Sequence, residues 1–150
     1  MRHLFPTASL LYRNRLSYPD FYLKVGAGDI ALYAFNADLG KIRYFPEVMA
    51  VYRHHPGGAS KHNARKQEAM LQNRIYFLEN FNIFTARRHR RHIAAAVIHF
   101  LRRLLTHYRS RRQWFRFALN ALRLLGLRFF SHPSRLHRDL RFLLRTAAKP

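Results

Sequence analysis

Three short stretches in the first 60 residues carry side chains that could perform transfer chemistry. Gly28-Asp29 places a carboxylate where a loop turns into an apolar, helix-like run. The segment from Tyr52 to Gly58 reads Tyr-Arg-His-His-Pro-Gly-Gly, and the segment from Thr7 to Arg13 supplies two small hydroxyl residues and a guanidinium. A carboxylate can take a proton from a hydroxyl, and a cationic group can stabilise a departing diphosphate. A candidate proton acceptor and candidate cationic groups therefore occur within these stretches.

In this order, the three stretches resemble the acceptor-side, C-terminal part of the catalytic domain of family 2 inverting glycosyltransferases. The shared pattern runs Thr-x-Ser-x-x-x-Arg, then Gly-Asp, then Tyr-Arg-x-His-x-Gly-Gly, and it covers roughly residues 3–60. The resemblance implies an α/β fold class over residues 1–60, a partial GT-A, Rossmann-like half-domain, followed by a mostly α-helical basic tail over residues 61–150. It also implies inverting sugar transfer from a nucleotide-sugar donor to a saccharide or lipid-linked acceptor in a full-length enzyme.

The resemblance gives individual residues their expected roles. Asp29 takes the position of the acceptor-site base, although the family often shows Glu-Asp where this chain has Gly28-Asp29. His55 matches the motif histidine that, in metal-dependent relatives, helps to hold the Mn²⁺ or Mg²⁺ bridging the two phosphates. The expected substrate-binding residues are Ser9, Arg53, Gly57 and Gly58.

Each of these residues also has a purely structural interpretation. Asp29 could serve only as a cap for the helix that follows it. Arg53, at the end of an expected strand, could pair with a neighbouring carboxylate rather than with phosphate. His54 fits an exposed polar turn, and Thr7 fits a structural strand residue. Only the combined pattern favours chemistry over structure.

Other parts of the expected machinery are not present in the sequence. There is no Asp-x-Asp stretch to provide oxygen ligands for a divalent metal, and the whole chain holds only seven Asp and Glu residues. The strands that bind the nucleotide in the family have no counterpart here. We therefore expect little or no sugar transfer and no tight metal binding by this chain alone. The competing hypothesis is a small basic protein that binds a membrane surface or nucleic acid without catalysis.

The distribution of charge divides the chain near residue 60. Residues 1–60 hold seven Lys and Arg against four Asp and Glu, whereas residues 61–150 hold 21 against three. Most of the net charge of +21 therefore lies in the second region. Such asymmetry predicts a region that meets a polyanion or an anionic membrane surface. The absence of cysteine excludes disulfides and thiolate metal ligands.

Apolar spacing predicts the elements that would position these residues. A helix is expected from Asp29 to Gly40, with the glycine ending it. Alternation predicts short strands over 7–13, 42–44 and 48–52, and Pro56-Gly57-Gly58 marks the domain boundary. Beyond the boundary, helical periodicity predicts helices over 61–81, 93–105, 114–130 and 136–144.

The predicted tail helices are basic and amphipathic. In the third, the apolar residues Phe115, Leu122 and Phe129 share one face. This composition favours an anionic membrane surface, with nucleic acid as a less favoured partner and a bundle that buries the apolar faces as the structural alternative. Arginines interrupt every run that approaches the roughly 18 to 20 apolar residues of a membrane span, and no signal peptide is evident. We therefore expect a cytoplasmic protein that is peripheral on the cytosolic face of a membrane.

Overall fold

The structure is a computed structural model that describes residues 10–12, 17–26, 28–48, 51 and 67–148. All regular elements in these ranges are helices. The five α-helices are α1 (Gly28–Leu39), α2 (Gln67–Phe84), α3 (Arg90–Ser110), α4 (Trp114–Ser131) and α5 (Leu136–Ala148). Short 3₁₀ helices occupy Asp20–Lys24 and Pro133–Arg135. The chain divides into two compact units, Met1–Gln67 and Glu68–Pro150.

The predicted α/β half-domain over residues 1–60 is wrong. No strand occurs in the described parts of this region, and residues 41–48 form an exposed segment where one strand and the start of another were expected. Two-residue alternation shows only that a segment is compatible with a sheet. A strand becomes stable when a neighbouring strand pairs with its backbone N–H and C=O groups, and the described residues provide no such neighbour. The expected strand over 7–13 lies mostly outside the described residues.

In the first unit, α1 confirms the helix predicted from Asp29 to Gly40. The Gly40 N–H donates to the Asn36 carbonyl at 3.2 Å, which closes the last turn. Phe35 is buried among the rings of Tyr18, Phe21 and Tyr22, whose centroids lie 6.0 to 6.2 Å from its own. Burial of a phenylalanine contributes roughly 1.5 to 3 kcal/mol, so this aromatic cluster fixes the 3₁₀ segment against α1.

In the second unit, α3 is the central helix. It packs along α4 and also contacts α5. Its apolar residues recur every three or four positions and give a continuous buried face, made of Ile93, Val97, Phe100, Leu101, Leu104, Leu105 and Tyr108. α2 joins this core through Leu71, Ile75, Leu78 and Phe81. The predicted helical character of this region is therefore confirmed over its described residues.

The connections between these helices place non-glycine residues in the left-handed region. Ala86 and Arg87, between α2 and α3, have φ values of 47° and 61°, and Arg112, between α3 and α4, has a φ of 54°. Thr85 stabilises the first connection because its buried hydroxyl donates to the Phe81 carbonyl at 2.9 Å. The chain therefore reverses direction within a few residues, and the three helices α2 to α4 pack side by side.

Candidate anion-binding and acceptor sites

Asp29 lies in the first turn of α1. Its Oδ1 accepts a hydrogen bond from the Ile30 N–H at 2.8 Å, and the residue is half-buried. The Tyr22 hydroxyl lies 3.4 Å from the position that a Cβ on Gly28 would occupy. Tyr22 also stacks on Tyr18, with ring centroids 4.4 Å apart and an interplanar angle of 19°. A carboxylate and a pair of stacked aromatic rings therefore meet around the start of α1.

The other predicted site residues cannot be placed around Asp29. Ser9, Arg53, His55, Gly57 and Gly58 all lie outside the described residues. Their expected roles in substrate and metal binding therefore stay predictions. Within the described ranges, no three His, Asp or Glu side chains come together as a metal site would require.

The acidic residues of the second unit are all engaged by basic side chains. Glu79 Oε1 and Oε2 accept from Arg123 Nη2 at 2.5 and 2.6 Å. Glu68 Oε1 accepts from Arg116 Nη1 at 2.7 Å. Asp139 binds two arginines at once. None of the three carboxylates is therefore left to neutralise other arginines of the unit.

Glu68 also links three helices through a buried tyrosine. The Tyr108 hydroxyl on α3 donates to Glu68 Oε1 at 3.3 Å and accepts from Gln72 Nε2 at 3.0 Å. Burial, together with the negative charge of Glu68, raises the pKa of Tyr108, although the Gln72 hydrogen bond acts in the opposite direction. The phenol is therefore neutral at physiological pH and holds α3 against α2.

Asp139 is the most deeply buried charged residue in the described structure, with no exposed surface. Its Oδ1 accepts from Arg102 Nε at 2.9 Å and from Arg102 Nη2 at 2.5 Å, while its Oδ2 accepts from Arg128 Nε. Arg128 is only 7% exposed. One carboxylate on α5 thus holds guanidinium groups from α3 and α4 in fixed positions, since three charge-assisted hydrogen bonds restrain them.

Residues of these three helices line an open cleft of about 410 Å³ that we call the arginine cleft. The cleft is lined by Arg102, Arg128, Arg138, Arg141, Phe142 and Arg145. Arg102 lies over the Phe142 ring, 5.2 Å from its centroid, which restrains the guanidinium further. Five arginines around a single buried carboxylate make this concavity strongly positive.

Many arginines outside the cleft are also exposed and without a carboxylate partner among the described residues. They are Arg87, Arg90, Arg91, Arg103, Arg111, Arg112 and Arg135. His99 does not add to this charge at neutral pH, because burial and the nearby Arg103 and Arg102 lower its pKa. The unit therefore presents positive charge from several helices to its surroundings.

The exposed side of α4 is apolar. Phe115, Leu119, Leu122 and Phe129 follow one another at helical spacing, and they are 82%, 59%, 69% and 60% exposed. We call these four residues the apolar stripe. The opposite face of α4, with Phe117, Leu124 and Arg128, is the buried one. The predicted bundle alternative, in which this stripe is buried inside, does not describe α4.

Sequence reasoning did not find the arginine cleft. In the sequence, Asp139 stands out only as the one acidic residue after Glu79. Arg138, Arg141 and Arg145 follow the spacing i, i+3, i+7, which places them on one face of a helix, and this was the available signal. The pairing of Asp139 with Arg102, 37 positions away, follows from tertiary packing alone.

The chain was compared with known proteins at three levels. No protein-family model, no curated protein and no solved structure matches it. No helix among the described residues combines the length and the apolar character that crossing a bilayer requires. The resemblance to family 2 glycosyltransferases therefore rests on the motif residues themselves.

Proposed function

We propose that this chain is the acceptor-side portion of an inverting, family 2-type glycosyltransferase whose helical unit works at an anionic membrane surface. The ordered motif set is the observation that carries the transferase assignment. Its Gly-Asp element lies at the beginning of a helix, where a carboxylate can face an acceptor hydroxyl. The donor would be a nucleotide sugar, bound with Mn²⁺ or Mg²⁺ by parts of a full-length enzyme that this sequence does not contain.

The surroundings of Asp29 support an acceptor site. Aromatic rings are frequent platforms for sugars because a pyranose has an apolar face, and Tyr18 and Tyr22 form a stacked pair beside Gly28. A half-buried carboxylate can accept a hydrogen bond from a sugar hydroxyl and then its proton. A saccharide or lipid-linked acceptor is therefore the ligand class that we assign to the start of α1.

The helical unit supports membrane association through a separate observation. The apolar stripe on α4 lies in a unit whose exposed arginines outnumber its carboxylates. An amphipathic helix of this kind places its apolar face in the headgroup boundary while arginines contact anionic lipids, each contributing about 1 kcal/mol near the surface. This arrangement favours the cytosolic leaflet, which carries the anionic lipids. A nucleic-acid groove would require an exposed basic face without large apolar side chains.

Saccharide binding tests the transferase proposal. We expect the purified chain to bind members of a panel of mono- and oligosaccharides in saturation-transfer NMR and to bind no nucleotide sugar tightly. Asp29→Asn should weaken saccharide binding about tenfold, because a hydrogen bond to a charged acceptor contributes roughly 1.5 to 3 kcal/mol. Tyr22→Ala should weaken it as well.

Asp38→Asn is the matched control for this experiment. Asp38 lies on α1 nine positions after Asp29, on the opposite side of the helix, so its substitution should leave saccharide binding unchanged. Failure of every saccharide to bind would contradict the acceptor assignment. Equal effects of the Asp29 and Asp38 substitutions would show that Asp29 has no special part in recognition.

A further inference from the structure

We propose that the arginine cleft between α3, α4 and α5 is a binding site for a phosphate monoester or diphosphate group. The assignment does not depend on sugar transfer or on membrane binding, because inorganic phosphate in solution tests it. It rests on three properties of the cleft, which are its charge, the fixed position of two of its guanidinium groups and its size.

The charge of the cleft is far from neutral. Arg102 and Arg128 share the single carboxylate of Asp139, and no carboxylate among the described residues pairs with Arg138, Arg141 or Arg145. Like charges that lie close together repel one another, so an empty cleft costs stability that a bound anion would recover. A dianion matches this excess of positive charge better than a monoanion does.

Two of the guanidinium groups are already in place. Asp139 engages Arg102 through Nε and Nη2 and engages Arg128 through Nε, which leaves Nη1 of Arg102 and both terminal nitrogens of Arg128 without a bond to it. Because these side chains are restrained before any ligand arrives, the loss of side-chain entropy on binding is small. Asp139 is therefore a positioning residue for the anion donors.

The remaining cations lie on one face of α5. Arg138, Arg141 and Arg145 are exposed, are spaced i, i+3, i+7 and line the cleft together. Guanidinium groups present paired N–H donors that fit two oxygens of one phosphate. Phosphate monoesters and diphosphates offer at least three terminal oxygens for such donors, whereas a phosphodiester offers two.

The size of the cleft suits this ligand class. Its volume of about 410 Å³ compares with roughly 30 Å³ for each water molecule in the liquid, so a phosphate or diphosphate fits together with part of its hydration. Phe142 is the one apolar residue of the lining. The group that carries the phosphate can lie against this ring.

The test uses the full chain and two soluble probes, inorganic phosphate and pyrophosphate, measured by isothermal titration calorimetry at constant ionic strength. We expect pyrophosphate to bind more tightly than phosphate. The double variant R141Q/R145Q should weaken the binding of phosphate and of pyrophosphate by at least about tenfold. The reason is that the loss of a single charge-assisted hydrogen bond already lowers affinity by about that factor. Both arginines are exposed and form no ion pair with any described residue, so the variant should keep the fold, which far-UV circular dichroism checks.

R90Q/R91Q is the matched control. Arg90 and Arg91 are exposed on α3, have no ion pair among the described residues and lie outside the cleft, and their loss removes the same two positive charges. We expect R90Q/R91Q to bind both probes as the unsubstituted chain does. Equal weakening by R90Q/R91Q and by R141Q/R145Q would show that net charge alone attracts the anion, and it would overturn the site.

A second measurement distinguishes a lipid source of the phosphate from a soluble one. Vesicles containing phosphatidic acid, a monoester headgroup, are compared with phosphatidylglycerol vesicles of equal surface charge. A preference for phosphatidic acid that R141Q/R145Q abolishes supports the cleft and assigns a lipid ligand. Pyrophosphate binding that depends on the cleft, without any lipid preference, supports it and assigns a soluble ligand. If R141Q/R145Q changes neither the binding of pyrophosphate nor a preference for phosphatidic acid vesicles, the proposal is overturned.

Discussion

Replacement of Asp139 by asparagine should cost the helical unit about 3 kcal/mol of unfolding free energy. Asp139 has no exposed surface, and its carboxylate joins α5 to α3 and α4 through Arg102 and Arg128. Asparagine keeps the shape of the side chain but carries no charge and a single carbonyl oxygen. All three hydrogen bonds that Asp139 accepts are then lost or left without a charged acceptor.

The magnitude follows mainly from the burial of Arg128. This residue is 7% exposed, so its guanidinium can regain only the little water that reaches it through the cleft when the carboxylate is removed. Removing one partner of a buried ion pair, such as Arg128 with Asp139, costs roughly 3 to 5 kcal/mol. The Arg102 side chain is 35% exposed and can be hydrated, so its lost pair adds at most about 1 kcal/mol. We expect a cost near the lower end of the range of roughly 3 to 5 kcal/mol, because asparagine retains one carbonyl oxygen that can accept a hydrogen bond.

Urea denaturation followed by far-UV circular dichroism measures this cost. Glu79→Gln is the control, because the Arg123–Glu79 pair has side chains that are 44% and 40% exposed, and its loss should cost less than about 1 kcal/mol. The double variant Arg128→Met and Asp139→Leu should recover most of the loss, since well-packed apolar groups often replace a buried ion pair without penalty. Equal costs for Asp139→Asn and Glu79→Gln would refute this reasoning.

Three further predictions concern the helix connections, the apolar stripe and the buried tyrosine. Ala86→Gly should stabilise the unit against urea by about 0.5 to 1 kcal/mol, because glycine removes the strain of a φ of 47°. An unchanged or lower urea midpoint would contradict this. The double variant Phe115→Ala with Phe129→Ala should lower the partition of the protein onto anionic vesicles at least about tenfold, because it removes exposed apolar surface from the apolar stripe. Ile83→Ala, which removes a similarly exposed apolar side chain from α2, should not lower this partition. Equal effects would exclude the stripe as the contact surface. Because the pKa of Tyr108 is raised above its usual 10.0, the folded state retains the phenol proton longer than the unfolded state, so its contribution to stability is fully present below about pH 10 and is lost as pH rises further. Tyr108→Phe should remove this part of the alkaline destabilisation, and an identical pH profile for the variant would contradict the assignment.

The amphipathic character of α3 and α5 was predictable because apolar residues repeat regularly along each of them. The periodicity of α3 identifies its buried face directly, and that helix contacts α4 and α5 and, through Phe100 and Tyr108, also α2. The orientation of α4 was not predictable in the same way. Both of its faces carry large apolar residues, and only the packing against α3 decides that Phe117 and Leu124 are buried while Phe115 is exposed.

The strand predictions and the arginine cleft show two limits of local pattern. The alternation of Ile42 and Tyr44 is compatible with a sheet, but a sheet needs a partner strand that lies elsewhere in the chain. The cleft likewise depends on residues that are far apart in sequence, since Arg102 and Asp139 meet only when α3 and α5 pack. Asp29 differs because its position at a helix start depends on neighbouring residues, and the local sequence pattern predicted that start to within one residue.

Mapping of saccharide binding by amide NMR tests the central claim most directly. During titration with an acceptor-type oligosaccharide, we expect the amide signals of Asp29, Ile30 and Tyr22 to shift in a saturable manner. The amide signals of α3 to α5 should stay in place in the same titration. Shifts confined to the helical unit, or no saturable shift at all, would contradict the assignment of the start of α1 as an acceptor site.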